Sequence, residues 1–356
     1  MIKERNISLQ PLDQAPDSAE AELNKLPRDT NPVLYMGGTL HGEKENWLAS
    51  ELIQSRGRRI IAPLADRITK NIPWRNEVHT DNGVKSASGP GALLEAPKKQ
   101  TKAIVAAVQK ARAKEVIAHV ESQPEKVTLI AQSADAQPAM IAAHEKPEFF
   151  GKLILVFPSG VDKKEEVFAY SKRAAKHPRG EKAPKTLVDP ENNFEDPKPS
   201  SLRELGKLAR RRFEGSGGWR ALMSTISGYQ GGLLHEMRQK EDAPAVAMVL
   251  GVNDLVAPPE QVLKSLKSAD DVDFLLIVNS THGIKGRKDL MDEILELADV
   301  MEAQSQAREA AKARGEEFNP GSLADRLIFL DEGPYSVPEE EQERFRALAD
   351  QVPEAS

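Results

Sequence analysis

The chain contains no cysteine. Disulfides, thiolate nucleophiles and cysteine metal sites are thereby excluded, while the compartment is left open. No apolar run approaches the ~18 residues of a membrane span. The first residues, MIKERNISLQPLDQ, lack the apolar centre of a signal peptide, so a cytoplasmic location is the default expectation. An excess of positive charge is also missing. The 49 Lys and Arg face 55 Asp and Glu, a formal charge of −6, which argues against a general nucleic-acid binder. No metal-ligand spacing stands out. The glycines at 37–39 (GGT) are not followed by Gly-Lys-Ser/Thr, so they do not read as a phosphate loop.

What is present is a globular composition, 39% hydrophobic and 29% charged over 356 residues, long enough to bury a full core. Oligomeric state is left open. Six short apolar runs, near 31–38, 58–63, 126–132, 152–157, 245–251 and 273–280, alternate with helical patterns at 45–57, 101–120 and 286–313. Alternation of this kind predicts an α/β fold, a mostly parallel sheet with helices on both faces. The expected organisation is an N-terminal extension over 1–30 and a core built from 31–160 and 244–313. A polar loop is expected over roughly 64–100. Residues 161–243, with the proline-rich APKTLVDPENNFEDPKPSS, fall between two strands and are expected to form a helical cap or lid. Residues 314–356 read as a loosely attached C-terminal tail.

Chemistry is expected at one turn. In EKVTLIAQSADAQPAM a buried strand runs through Gln132-Ser133-Ala134-Asp135 straight into a helix. A serine on so sharp a turn has its hydroxyl pushed clear of the backbone. The helix start behind it offers unpaired N–H groups and a positive dipole end, which stabilise a developing oxyanion. The turn therefore reads as a nucleophile elbow. A serine needs a base, and only His282, of seven histidines, directly follows a late strand (LLIVNSTHGI). Asp254, just past the strand in MVLGVNDLVAPPE, is the candidate to orient it. Taken singly, each has a plainer reading: Ser133 as a helix cap, Asp254 as a turn residue, His282 as a surface histidine. Of the others, His144 reads as structural, and His41 and His177 as loop residues.

The order Ser133, Asp254, His282 in these contexts resembles the α/β-hydrolase family, over about 31–160 and 244–300. PVLYMGGTLHGEKENW looks like the family's oxyanion strand with its loop and helix, and RRIIAP like the next strand. GVNDLVAPPE resembles the acid motif, a glycine, the aspartate, then a proline four residues on. The resemblance implies Ser133 as nucleophile, His282 as general base and then acid, and Asp254 as its orienter. The oxyanion hole would come from the backbone N–H groups of Gly38 and Ala134. The implied activity is hydrolysis of a carboxylic ester or related small acyl substrate, with no cofactor. An amide or C–C bond hydrolase with the same triad, and a noncatalytic hydrolase-fold protein binding a small ligand or a protein partner, are the alternatives. The elbow departs from Gly-x-Ser-x-Gly: Ala131 and Asp135 stand at the glycine positions. Asp135 is expected either to cap its own helix or to disturb the turn. Met36 stands where a histidine often precedes the oxyanion-hole glycine, and 1–30 shows no counterpart of the family's first hairpin.

Overall fold

A computed structural model describes residues 27–37, 43–61, 77–80, 83–86, 98–161, 231–254, 257–280 and 288–354. The apolar runs form the strands β1 (Val33–Met36), β2 (Ile60–Ile61), β5 (Val127–Gln132), β6 (Phe150–Val156), β7 (Ala245–Gly251) and β8 (Phe274–Val278). Their near-continuous burial is what strands covered on both faces require. All pair in parallel, and with β9 (Leu327–Phe329) they make a seven-stranded sheet of order β2-β1-β5-β6-β7-β8-β9. The chain leaves β1 toward one edge, to β2, then returns to β1's other side at β5. The gap between β1 and β5 is thus the topological switch point, beyond whose carboxyl ends parallel sheets bind ligands.

Side chains alternate across the pleat and create two cores. Leu129 and Ala131 of β5, Leu153 and Leu155 of β6, and Met248 of β7 face one layer. That layer holds α2 (Lys98–Val120), α3 (Ala136–Glu145), α4 (Gly231–Arg238), α5 (Pro259–Leu263) and α7 (Glu339–Ala349). Ile130, Ile154, Val249 and Leu276 face the other, with α1 (Glu43–Ser55) and α6 (Lys288–Arg314). Two helices end as their glycines require. Gly57 (φ +73°) and Gly315 (φ +71°) take the left-handed conformation just past α1 and α6. The next N–H groups return to the helices, Arg58 to Ile53 at 3.2 Å and Glu316 to Ala311 at 2.9 Å.

Three expectations change. Residues 314–356 are not a loose tail: β9 extends the sheet beside β8, and Phe345 of α7 is fully buried in the core. The run Leu327-Ile328-Phe329-Leu330 that forms it is isolated between charged stretches in the sequence. The loop expected over 64–100 contains an antiparallel hairpin, β3 (Glu77–Thr80) and β4 (Gly83–Ser86). The end of the expected cap also belongs to the core, since α4 buries Leu234 and Met237 against the α3 layer. Residues 162–230, the rest of that cap, lie outside the described residues.

At the amino ends of the strands the fold is tied by buried charge. Asp29, only 2% exposed, accepts from Thr128 Oγ1 at 2.7 Å and pairs with Lys152 Nζ at 2.9 Å and Arg58 at 3.2 Å. Lys152 also reaches Glu302 of α6 at 2.5 Å, and Arg58 reaches Asp299. The end of the expected N-terminal extension is therefore inside the fold.

Candidate active site

The turn after β5 has the shape its sequence predicts. Gln132 is extended (φ −101°, ψ 142°), a 3-10 turn spans Ser133–Asp135, and α3 begins at Ala136. Ser133 takes φ +54°, one of two positive values at non-glycine residues among those described. A left-handed L-residue costs about 1–2 kcal/mol and persists only where its surroundings hold it. Here the carbonyl oxygen of Ser133 accepts from the Ser159 N–H at 3.1 Å, and Tyr35 Oη of β1 donates to Gln132 Oε1 at 3.3 Å. The second such residue, Phe157 (φ +48°), ends the neighbouring strand β6 and is fully buried. Two adjacent strands thus leave the sheet through strained turns, side by side at its carboxyl edge. Nothing in the composition around Phe157 marks it in advance.

Asp135, in the second glycine position, stands at the N-cap of α3 without a side-chain capping bond, and Gln132, the N-cap of the 3-10 turn, makes none either. The carboxylate instead forms a buried ion pair with Arg112 of α2, the two residues being 3% and 7% exposed. Arg112 went unnoticed in the sequence. The available signal was a cation beside Ala113 and Val116 on the buried side of its helix.

Asp254 follows β7 and is buried. Its N–H donates to the Gly251 carbonyl at 3.0 Å, and its Oδ1 accepts from the Ala257 N–H at 2.9 Å. With β6 between β5 and β7, the ends carrying Ser133 and Asp254 are about 10 Å apart by ordinary strand spacing. The chain after β8 is tied to the same place. Asn253 Nδ2 donates to Asn279 Oδ1 at 3.0 Å, and the Asn253 N–H donates to the Ser280 carbonyl at 3.0 Å. Asn279 and Ser280, just past β8, are thus held against Asn253, the neighbour of Asp254. His282 itself lies outside the described residues, as do Gly38, His41 and His177. Ala134 is buried directly behind Ser133.

The other histidines have separate settings. His144 sits at the far end of α3, 3.7 Å from Glu236 of α4. Burial lowers its pKa, with Lys240 adding to the effect and Glu236 opposing it. His235 Nδ1 lies 2.7 Å from Asp271 Oδ1, at the opposite edge of the fold from the serine turn. Among the described residues no group of His, Asp and Glu is arranged to hold a metal ion. No helix among them is long and apolar enough to cross a membrane.

A parallel α/β sheet with a strained serine on a strand-to-helix turn at its carboxyl edge is the α/β-hydrolase type of fold. No protein-family model matches the chain, and no curated protein does. Solved structures match at low identity. An N-formylmaleamic acid deformylase of Pseudomonas putida S16 is 12% identical over 76% of this chain and 93% of its own, with TM-score 0.41. An α/β-hydrolase from a lagoon-sediment metagenome of Mar Chica, Morocco, is 13% identical over 81% and 93%, with TM-score 0.40. The thioesterase domain of the curacin biosynthetic pathway is 15% identical over 76% and 91%, with TM-score 0.43. The assignments below rest on this chain's own geometry.

Proposed function

We propose that the protein is a serine hydrolase of a carboxylic ester or related acyl substrate. One observation carries the reading: Ser133 holds a left-handed conformation on a strand–turn–helix at the carboxyl edge, beside the switch point between β1 and β5. Strain of this kind, at the place where parallel sheets bind ligands, is most simply explained by a need to present the hydroxyl. In the proposed reaction Ser133 Oγ attacks the acyl carbon as His282 removes its proton. The tetrahedral oxyanion is held by the N–H groups of Ala134 and Gly38. His282 then returns the proton to the leaving alcohol, and water cleaves the acyl-enzyme by the same route. Asp254 keeps His282 in the tautomer that accepts from serine. Selection of the acyl chain is assigned to residues within 161–243, the expected cap, of which 162–230 lie outside the described residues.

A fluorophosphonate probe tests this directly, because it reacts with an activated serine. Labelling at Ser133, together with loss of ester turnover in Ser133→Ala, is the expected result. Turnover that survives Ser133→Ala would sink the assignment. The bond from Asp254 Oδ1 to the Ala257 N–H favours a second reading, in which Asp254 is a turn residue of a noncatalytic ligand-binding protein. In that case the probe leaves Ser133 untouched. Amide or C–C bond cleavage by the same three residues is separated from ester cleavage only by substrate panels.

A further inference from the structure

Asp135 poses an electrostatic problem for the proposed hydrolase. The positive end of α3 and the N–H groups behind Ser133 suit a developing oxyanion only while no fixed anion occupies them. A carboxylate two residues after the nucleophile is the side chain best placed to occupy them, because aspartate is a preferred capping residue. In this structure it does not. Asp135 lies at the start of α3 without capping it, and its carboxylate is held by Arg112, which reaches across from α2 where α2 packs on α3. Both groups are buried, so the pairing is little screened by solvent.

We propose that Arg112 is a positioning residue for the Ser133 elbow. It draws the Asp135 carboxylate away from the helix start and neutralises it, keeping the oxyanion-binding N–H groups available. The ion pair does for this turn what a glycine would do by having no side chain. The proposal rests on the hydrolase reading and deepens it, by naming what makes an elbow with aspartate in that position competent.

The test measures kcat, KM and the rate of fluorophosphonate labelling of Ser133 in the full-length chain, each per folded molecule as judged by thermal melting. Arg112→Ala is expected to lower kcat and the labelling rate by about 10²-fold, the cost of impairing one oxyanion donor, with KM changed less than threefold. Arg112→Lys, which keeps the charge and loses the fork, should recover most of the loss. Arg112→Leu combined with Asp135→Ala removes both charges and leaves no orphaned ion. It should label close to the wild-type rate, and it keeps the test decisive where Arg112→Ala fails to fold. Wild-type labelling with an unchanged rate in folded Arg112→Ala overturns the positioning role alone, even where the variant melts lower. A double variant that folds yet labels as slowly as Arg112→Ala also overturns it, since the loss then stems from packing. Wild-type protein that the probe does not label overturns the hydrolase reading, and the positioning role falls with it.

Discussion

The backbone conformation and the hydroxyl of Ser133 can be tested apart. Its φ of +54° is disfavoured for any side chain and readily adopted by glycine. Ser133→Gly is therefore expected to be more stable than Ser133→Ala by about 1 kcal/mol, although both lack the hydroxyl. Urea melts of the two variants check this; equal midpoints would mean the turn is not strained. Asp254→Asn should keep the fold and lower kcat by about 10⁴-fold, because the amide favours the wrong histidine tautomer. Full activity in that variant would leave the noncatalytic turn role as the sole role of Asp254. Asp273 makes a pH prediction. Burial opposes its ionisation, but Arg238 at 3.0 Å, Arg308 at 2.9 Å and the Val246 N–H at 2.7 Å outweigh it and hold the carboxyl below its usual range. A depressed pKa stabilises the fold above the unfolded value of about 3.9 and loses that contribution as pH falls through the folded value. Wild type should thus lose stability steeply below about pH 4. Asp273→Asn should be less stable than wild type at pH 7, and the gap should narrow as the medium is acidified.

At the scale of elements, the C-terminal strand and helix behave as core. Phe345 is fully buried, so Phe345→Ala should cost about 3–5 kcal/mol in a denaturant melt. A loosely attached segment would give less than about 0.5 kcal/mol. The six strands legible in the sequence are apolar runs that are nearly fully buried once paired, the edge strand β2, only Ile60–Ile61 with Ile60 half-buried, being the least so. β9 lies in the run Leu327-Ile328-Phe329-Leu330, set between the charged stretches LADR and DEG, and a short apolar run without helical or period-2 pattern around it fits a loop as well as a strand. The hairpin β3–β4, from EVHT and GVKS, carries almost no apolar signal. At the candidate site, the serine turn was legible because strand periodicity stops and helical periodicity begins without a loop between them. Asp254 was legible from its place after β7. The Arg112–Asp135 pair was legible only as a cation within an apolar stretch of helix, because its partner is set by α2 packing on α3, a relation that local pattern does not carry. The strain at Phe157 likewise follows from neighbouring strands and is invisible in its own side chain.

For the whole molecule, the two edges of the sheet differ in what they hold. The carboxyl edge carries Ser133, Phe157 and Asp254; the amino edge carries the buried network of Asp29, Arg58, Lys152 and Glu302. From Thr128 in that network to Ser133 is five residues of strand, about 17 Å, beyond the range at which substitutions usually couple. Lys152→Ala should destabilise the fold by about 3–5 kcal/mol, since it removes a buried partner from Asp29. The labelling rate of Ser133 in the folded fraction should not change. A change in both would show that the two edges communicate through the sheet.

The position of β9 at the end of the strand order has a consequence for biosynthesis. It is translated after every other described strand of the sheet, and among the described residues it pairs with β8 alone. Until the ribosome has passed residue 329 and the chain has cleared the exit tunnel, β8 is a bare parallel edge of five apolar residues, Phe274–Val278, with unpaired backbone groups. Nascent or prematurely terminated chains therefore carry a template for pairing with one another, at the stage when the rest of the sheet is already assembled. A chaperone that shields β8 until β9 docks is expected to raise soluble yield more than one acting on the earliest nascent segments.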